Sequence, residues 1–138
     1  SSGAELKADI IVSATGLNVK LGGGIKACVD GKPIDLPQHF VYRGTMFSDV
    51  PNFVLCIGYT NASWTLKIDL QLQYACRLIN HMREQGYDTV TPRVGPDVEP
   101  RPLIDMNSGY FNRVRDQLPK NGDRMPWKLA QNYVMDRY

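Results

Sequence analysis

The rhythm of apolar and polar positions changes twice along this chain. Ala8–Ala14 is an unbroken run of small and β-branched residues, ADIIVSA. Runs of that kind suit a strand covered on both faces, so the pattern predicts a buried parallel strand that exits through the small residues Ala14, Thr15 and Gly16. Gly22, Gly23 and Gly24 break it from the next apolar stretch, Ile25–Val29, and read as a flexible turn. Asp30-Gly31 then separates IKACV from KPIDL, a strong hairpin signal because the favoured two-residue turn needs positive φ at both positions. Phe40–Phe47 predicts one more strand, interrupted at Gly44, and Asp49 and Pro51 turn the chain into a strand over Asn52–Ile57.

The period then switches. Ile68, Leu72, Ala75, Ile79 and Met82 recur at three and four, one face of a helix, while Lys67, Gln71 and Arg83 fall elsewhere on the wheel. The spacing predicts a helix over 62–85, capped by Asn61 or Ser63 and closed by Gly86. A helix of that length needs a sheet or another helix along its apolar face. From Tyr87 the composition changes again. Pro92, Pro96, Pro100 and Pro102 exclude a helix interior and predict an extended tail. Short helices are expected over Gly109–Gln117 and Trp127–Tyr133, the latter with Pro126 in its first turn.

A chain of 138 residues with 43% apolar content is one globular domain or a piece of one. The net charge of +2 comes without a basic run, so nothing argues for nucleic acid or an acidic membrane as partner. No apolar run approaches the ~20 residues of a membrane span, no secretory leader is recognisable, and a cytoplasmic setting is expected. Cys28, Cys56 and Cys76 are odd in number and lack metal-binding spacing; Cys56 and Cys76 sit in apolar runs and are expected to be buried thiols. His39 and His81 have no Asp or Cys at useful spacing, and His81 is expected to be solvated near the helix end. Asp97, Glu99 and Asp105 flank prolines and suggest no metal site. With no Ser-His-Asp or Cys-His arrangement, no catalytic side chain and no metal ligand is assigned.

The most informative stretch is PNFVLCIGYTNASW, residues 51–64. A strand that runs through a small polar turn into a helix aims free N–H groups and a positive dipole end at whatever lies above the turn. Gly58 would let a planar ring approach the backbone, and Thr60, Asn61 and Ala62 would present amides to it. Such a helix start favours an anion by roughly 0.3–1 kcal/mol, and up to ~2 when partly buried. The plainer alternative is that Asn61 and Ser63 only cap the helix. Tyr59 and Trp64, beside the turn, are candidate substrate-side aromatics, or simply pack the helix start against the core.

Three motifs in order, IIVSATG, GYTNASWTLK and PWKLAQNY, resemble the C-terminal part of the flavin-containing monooxygenases, the Baeyer–Villiger type in particular. The resemblance implies an α/β fold, α+β as an isolated fragment: the C-terminal part of an FAD/NAD(P)-binding Rossmann-like domain with a small sheet and one long helix. Residues 4–90 would complete the FAD-binding domain, and 91–138 would form a Pro-rich tail. It implies that Ala14, Thr15 and Gly16 belong to the crossing between the two cofactor domains. The turn at Gly58–Ala62 would face the pyrimidine end of the flavin. The implied activity uses FAD, NADPH and O₂ to insert one oxygen atom into a small-molecule ketone or to oxidise a sulfur compound. The chain has no GxGxxG and no Phe-x-Gly-x-x-x-His-Thr fingerprint, so both are expected upstream in a longer polypeptide. The isolated chain is then expected to be inactive, to bind neither cofactor tightly, and to dimerise to cover surface meant for the missing N-terminal domains. Two alternatives remain: a fragment of another two-dinucleotide-domain flavin enzyme such as a disulfide reductase, and a self-contained protein-interaction module.

Overall fold

A computed structural model describes residues 2–104 and 109–137. The Asp30-Gly31 pair takes φ of 50° and 77° and reverses the chain between β1 (Cys28–Val29) and β2 (Lys32–Pro33), as its chemistry predicts. Phe40–Phe47 is a second hairpin rather than one strand. Arg43 and Gly44 adopt φ of 49° and 70°, and β3 (Val41–Tyr42) pairs antiparallel with β4 (Met46–Phe47). The glycine that looked like an interruption is the point of reversal, and a Cβ there would meet Leu129 Cδ2 at 2.8 Å. Beside this hairpin His39 donates its Nδ1–H to the Ser48 carbonyl at 2.6 Å, a structural role.

Two predicted strands are not formed. Ala8–Ala14 has no ladder, and Ile11 is 86% exposed. A parallel strand needs neighbours on its edges, and among the described residues this one has none. The segment after it is tethered by Arg113, whose Nη2 donates to the carbonyls of Thr15 at 3.4 Å and Leu17 at 3.2 Å. Asn52–Ile57 opens on a turn, with Asn52 at φ 53°, and continues as extended chain held by single bonds. Leu55 N–H donates to Thr45 O at 2.7 Å, and Ile57 N–H to Gln71 Oε1 at 3.0 Å.

α1 (Trp64–Gln85) starts two residues later than predicted and closes where predicted. Gly86 is left-handed at φ 69°; its N–H reaches Arg83 O, and Tyr87 N–H reaches Met82 O at 2.8 Å. Neither proposed N-cap side chain caps. Ser63 Oγ pairs with Thr65 Oγ1, and Asn61 Nδ2 donates to Gln131 O at 3.3 Å. The buried stripe shares only Ala75 with the predicted apolar one. Lys67, Gln71 and Ala75 face inward, while Leu72 and Ile79 are 50% and 54% exposed. Gln71 explains the choice: its amide nitrogen donates to Gly44 O and its oxygen accepts from Ile57 N–H, tying the helix to the hairpin and to the extended segment.

The tail is extended as predicted, but it also builds the centre. β5 (Pro100–Pro102) pairs antiparallel with β6 (Lys120–Gly122), and a parallel bridge joins Phe40 to Lys120. Leu103, Val114 and Leu118 complete a core with Val41, Phe47 and Val50. The helix predicted over Gly109–Gln117 is split into α2 (Gly109–Asn112) and a single 3-10 turn, Arg115–Gln117. The one predicted over Trp127–Tyr133 is a loop, so Pro126 opens no helix. Trp127 is buried edge-on against Phe40 and Tyr42, and Gln131 sits at φ 51°, which a helix interior forbids. α3 (Tyr133–Arg137) begins where that helix was expected to stop, with Asn132 Oδ1 accepting from Val134 N–H at 3.0 Å. The described fold is α+β with three small antiparallel sheets. The thiols depart from prediction too: Cys76 is exposed and Cys56 only half-buried, because Cys76 follows Ala75 onto the outer side of α1.

Candidate functional site

The entrance of α1 is built by close packing at Gly58. A Cβ at that position would lie 2.5 Å from Trp64 Cα and 2.6 Å from the indole, so only glycine lets the chain pass before it enters the helix. The next residue turns inward. Tyr59 is 1% exposed and its hydroxyl donates to Asp136 Oδ2 at 2.7 Å. Lys67 Nζ lies 3.3 Å from the same oxygen and 4.8 Å from the centre of the Tyr59 ring. Burial, and after it the bond to Asp136, push the Tyr59 hydroxyl pKa well above the usual tyrosine range.

The turn itself is partly engaged. Thr60 N–H donates to Gln131 Oε1 at 3.1 Å. Asn61 and Ala62 are exposed, and among the described residues no acceptor is paired with their backbone amides. Trp64 is half-exposed at the rim.

This mouth is not sealed. It opens on a hollow of about 230 Å³ whose walls are almost wholly apolar. Val19, Leu21, Leu103, Ile104 and Leu129 face Ile57, Gly58 and Trp64, with Thr60, Lys67 and Gln131 as its polar points. The structure therefore brings Gly58, Thr60 and Trp64 to one concave surface, with Asn61 and Ala62 next to them in the chain. Tyr59 lies behind the turn, and Ala14, Thr15 and Gly16 are exposed and do not line the hollow. Sequence reasoning missed Gln131 and Lys67. The PWKLAQNY motif contains Gln131, but nothing in a motif says that it reaches a backbone amide 71 residues away.

Chemically, the hollow can hold a flat apolar group and offer main-chain donors at its edge; among the described residues it presents no nucleophile and no acid–base pair. Elsewhere Asp97 pairs with Arg124 at 3.2 Å and Glu99 with Arg101 at 2.8 Å, while Asp105 lies outside the described residues. Arg124 is also hydrogen-bonded to Asp123, which holds that carboxyl below the usual carboxylate range. Among the described residues no group of His, Cys, Asp and Glu could hold a metal ion, and no helix is long and apolar enough to cross a membrane.

Comparison with known proteins adds a second line of argument. The chain is 51% identical over 137 residues to the FAD-containing monooxygenase EthA of Mycobacterium tuberculosis (strain ATCC 25618 / H37Rv), covering 99% of this chain and 28% of that protein. It is 50% identical over 137 residues to EthA of Mycolicibacterium smegmatis, with the same coverage of both chains. It is 49% identical over 138 residues to an Acinetobacter sp protein named "Probable FAD-binding monooxygenase AlmA", again covering 99% of this chain and 28% of the relative. The chain thus spans little more than a quarter of the length of these relatives. No protein-family profile and no solved structure matches it. The monooxygenase resemblance carried by GYTNASWTLK and PWKLAQNY is borne out by these relatives.

Proposed function

By sequence the chain belongs to the FAD-containing monooxygenases, and from that premise we propose that it is the C-terminal part of such an enzyme, one that uses NADPH and O₂ to place one oxygen atom on a ketone or a sulfur compound. The observation that carries the reading is the open, apolar hollow at the entrance of α1, beside the turn that the family resemblance sets against a flavin.

The residues present suit that role. A flavin ring is flat and mostly apolar, with one polar edge. Ile57, Leu103, Ile104 and Leu129 supply apolar walls, and the amides of Asn61 and Ala62 follow the lining residue Thr60 in the chain. When bound, FAD takes electrons from the nicotinamide and activates O₂. The chain's own part is narrower. Its apolar side chains keep water away from the ring and substrate. Its helix start favours negative charge at the polar edge. Gln131 holds the Thr60 amide in this structure, so Thr60 serves a ligand only when Gln131 Oε1 moves aside. Ala14, Thr15 and Gly16 would meet the other cofactor domain, and Tyr59 would brace the turn behind Trp64. In this reading residues 4–90 belong to a Rossmann-like FAD domain in the cytoplasm, and 91–138 are its Pro-rich tail, which also lends Leu103, Val114 and Leu118 to the core.

The test is the longer polypeptide that carries this chain. It should purify with bound FAD and consume NADPH and O₂ in step with an oxygenated ketone or sulfur product. A protein free of flavin, or a flavoprotein that reduces a disulfide and yields no oxygenated product, overturns the proposal.

A further inference from the structure

A second hollow, of about 370 Å³, lies between α1, the β3–β4 turn and the C-terminal segment. Among the described residues its lining is strongly cationic: Arg43, Lys67, Arg77, Lys128 and Arg137 surround it with a single carboxylate, Asp136. That carboxylate is already committed to Lys67 and Tyr59. Among the described residues Arg43, Arg77, Lys128 and Arg137 form no salt bridge. They come from four different places in the fold: the hairpin turn, the middle of α1, the loop after Trp127, and α3.

Like charges around one concavity repel, and low-dielectric walls focus their field onto whatever enters. The arrangement therefore favours a multivalent anion. A single carboxylate would offset only part of the charge. A phosphoryl group carries about two charges and several acceptor oxygens, which suits planar guanidinium forks and a lysine together. The Arg43 guanidinium is oriented 5.4 Å over the Tyr74 ring, and Arg77 follows Tyr74 by one helical turn on the same face. The remaining wall joins the rings and thioethers of Tyr74, Met125, Tyr133 and Met135 to Leu70 and the polar side chains of Thr45, Gln71 and Gln73. The volume falls in the range of small-molecule pockets, about 300–1,000 Å³, and exceeds what a bare phosphate needs.

We propose that this hollow binds a phosphomonoester of about nucleotide size, with its phosphate against Arg43, Arg77 and Lys128 and its organic part against Tyr74 and Met125. The site is separate from the apolar hollow and does not depend on the flavin reading.

Titration calorimetry on the chain with AMP, adenosine and inorganic phosphate tests it. AMP should bind, adenosine about tenfold more weakly or worse, and the AMP affinity should fall as salt is raised. Arg77→Gln and Lys128→Gln should each weaken AMP by about threefold or more, while Arg77→Lys should lose less. Both side chains are exposed, so circular dichroism should match that of the parent chain. Tighter binding of AMP than of inorganic phosphate supports the organic ester; binding of inorganic phosphate as tight as that of AMP leaves Tyr74 and Met125 without a role and overturns it. No binding of AMP, adenosine binding as tightly as AMP, or indifference to both glutamine substitutions overturns the proposal.

Discussion

Tyr59 shows how little a single position discloses before its partners are known. Its place beside a glycine turn suggests a substrate-side aromatic or a packing residue, yet its hydroxyl is bound by a carboxylate 77 residues away and its ring carries a buried ammonium. Lys67 is almost wholly buried, so Asp136 is what keeps that charge from standing alone inside the protein. The same geometry sets a pH dependence. The folded chain favours neutral Tyr59, whereas an unfolded tyrosine ionises near pH 10. Above about pH 10 the unfolded state therefore releases its proton first, and stability falls as pH rises. Below that pH the contribution is complete. Urea unfolding about one unit either side of pH 10 should show a loss of midpoint that Tyr59→Phe reduces, and tyrosinate absorbance should show a late-ionising group that the same substitution removes. A Tyr59→Phe profile identical to that of the parent chain would contradict the buried hydrogen bond.

The elements that were legible are those specified locally. Asp30-Gly31 carries its turn in two residues, and Gly86 ends α1 because a left-handed residue must. What was not legible depends on distant partners. The inward stripe of α1 is Lys67, Gln71 and Ala75, since Gln71 serves a carbonyl and an amide that only the folded chain brings together. The strand expected over Ala8–Ala14 has the right residues but, among the described residues, no neighbour to pair with. The two hairpin glycines separate local cost from packing cost. Both need positive φ, but a Cβ at Gly31 meets nothing within 4 Å, whereas at Gly44 it meets Leu129 at 2.8 Å and Lys67 at 3.2 Å. Gly31→Ala should cost about 1–2 kcal/mol, the left-handed penalty alone. Gly44→Ala should cost about 1–3 kcal/mol more, from overpacking. Equal losses in urea unfolding would mean that the Gly44 turn is not seated against Leu129.

At the scale of the whole molecule, the accessible surface is 10,102 Å², against about 7,200 Å² for a folded monomer of 15.5 kDa. The excess is apolar in part: Ile10, Ile11 and Val12 stand in solvent, and so does the Leu72–Ile79 side of α1. The helical period identified that side as one that wants cover, and the described residues do not cover it. The same logic explains the partial legibility of the site. Gly58, Thr60 and Trp64 stand together because they are neighbours in sequence, while the opposite wall, from Val19 to Leu129, is assembled by the fold. If the rest of a longer polypeptide lies on the outer side of α1, one pair of substitutions reads it out. In this chain alone Leu72→Gln with Ile79→Gln replaces half-exposed side chains and should change stability by no more than about 0.5 kcal/mol per site. In the longer protein the same pair would strip apolar groups from a buried contact, with a loss of about 1 kcal/mol or more per site and a lower Tm. Equal effects in the two settings would mean that this face stays in water in both. The apolar stripe would then be a surface feature of α1 rather than the seat of another domain.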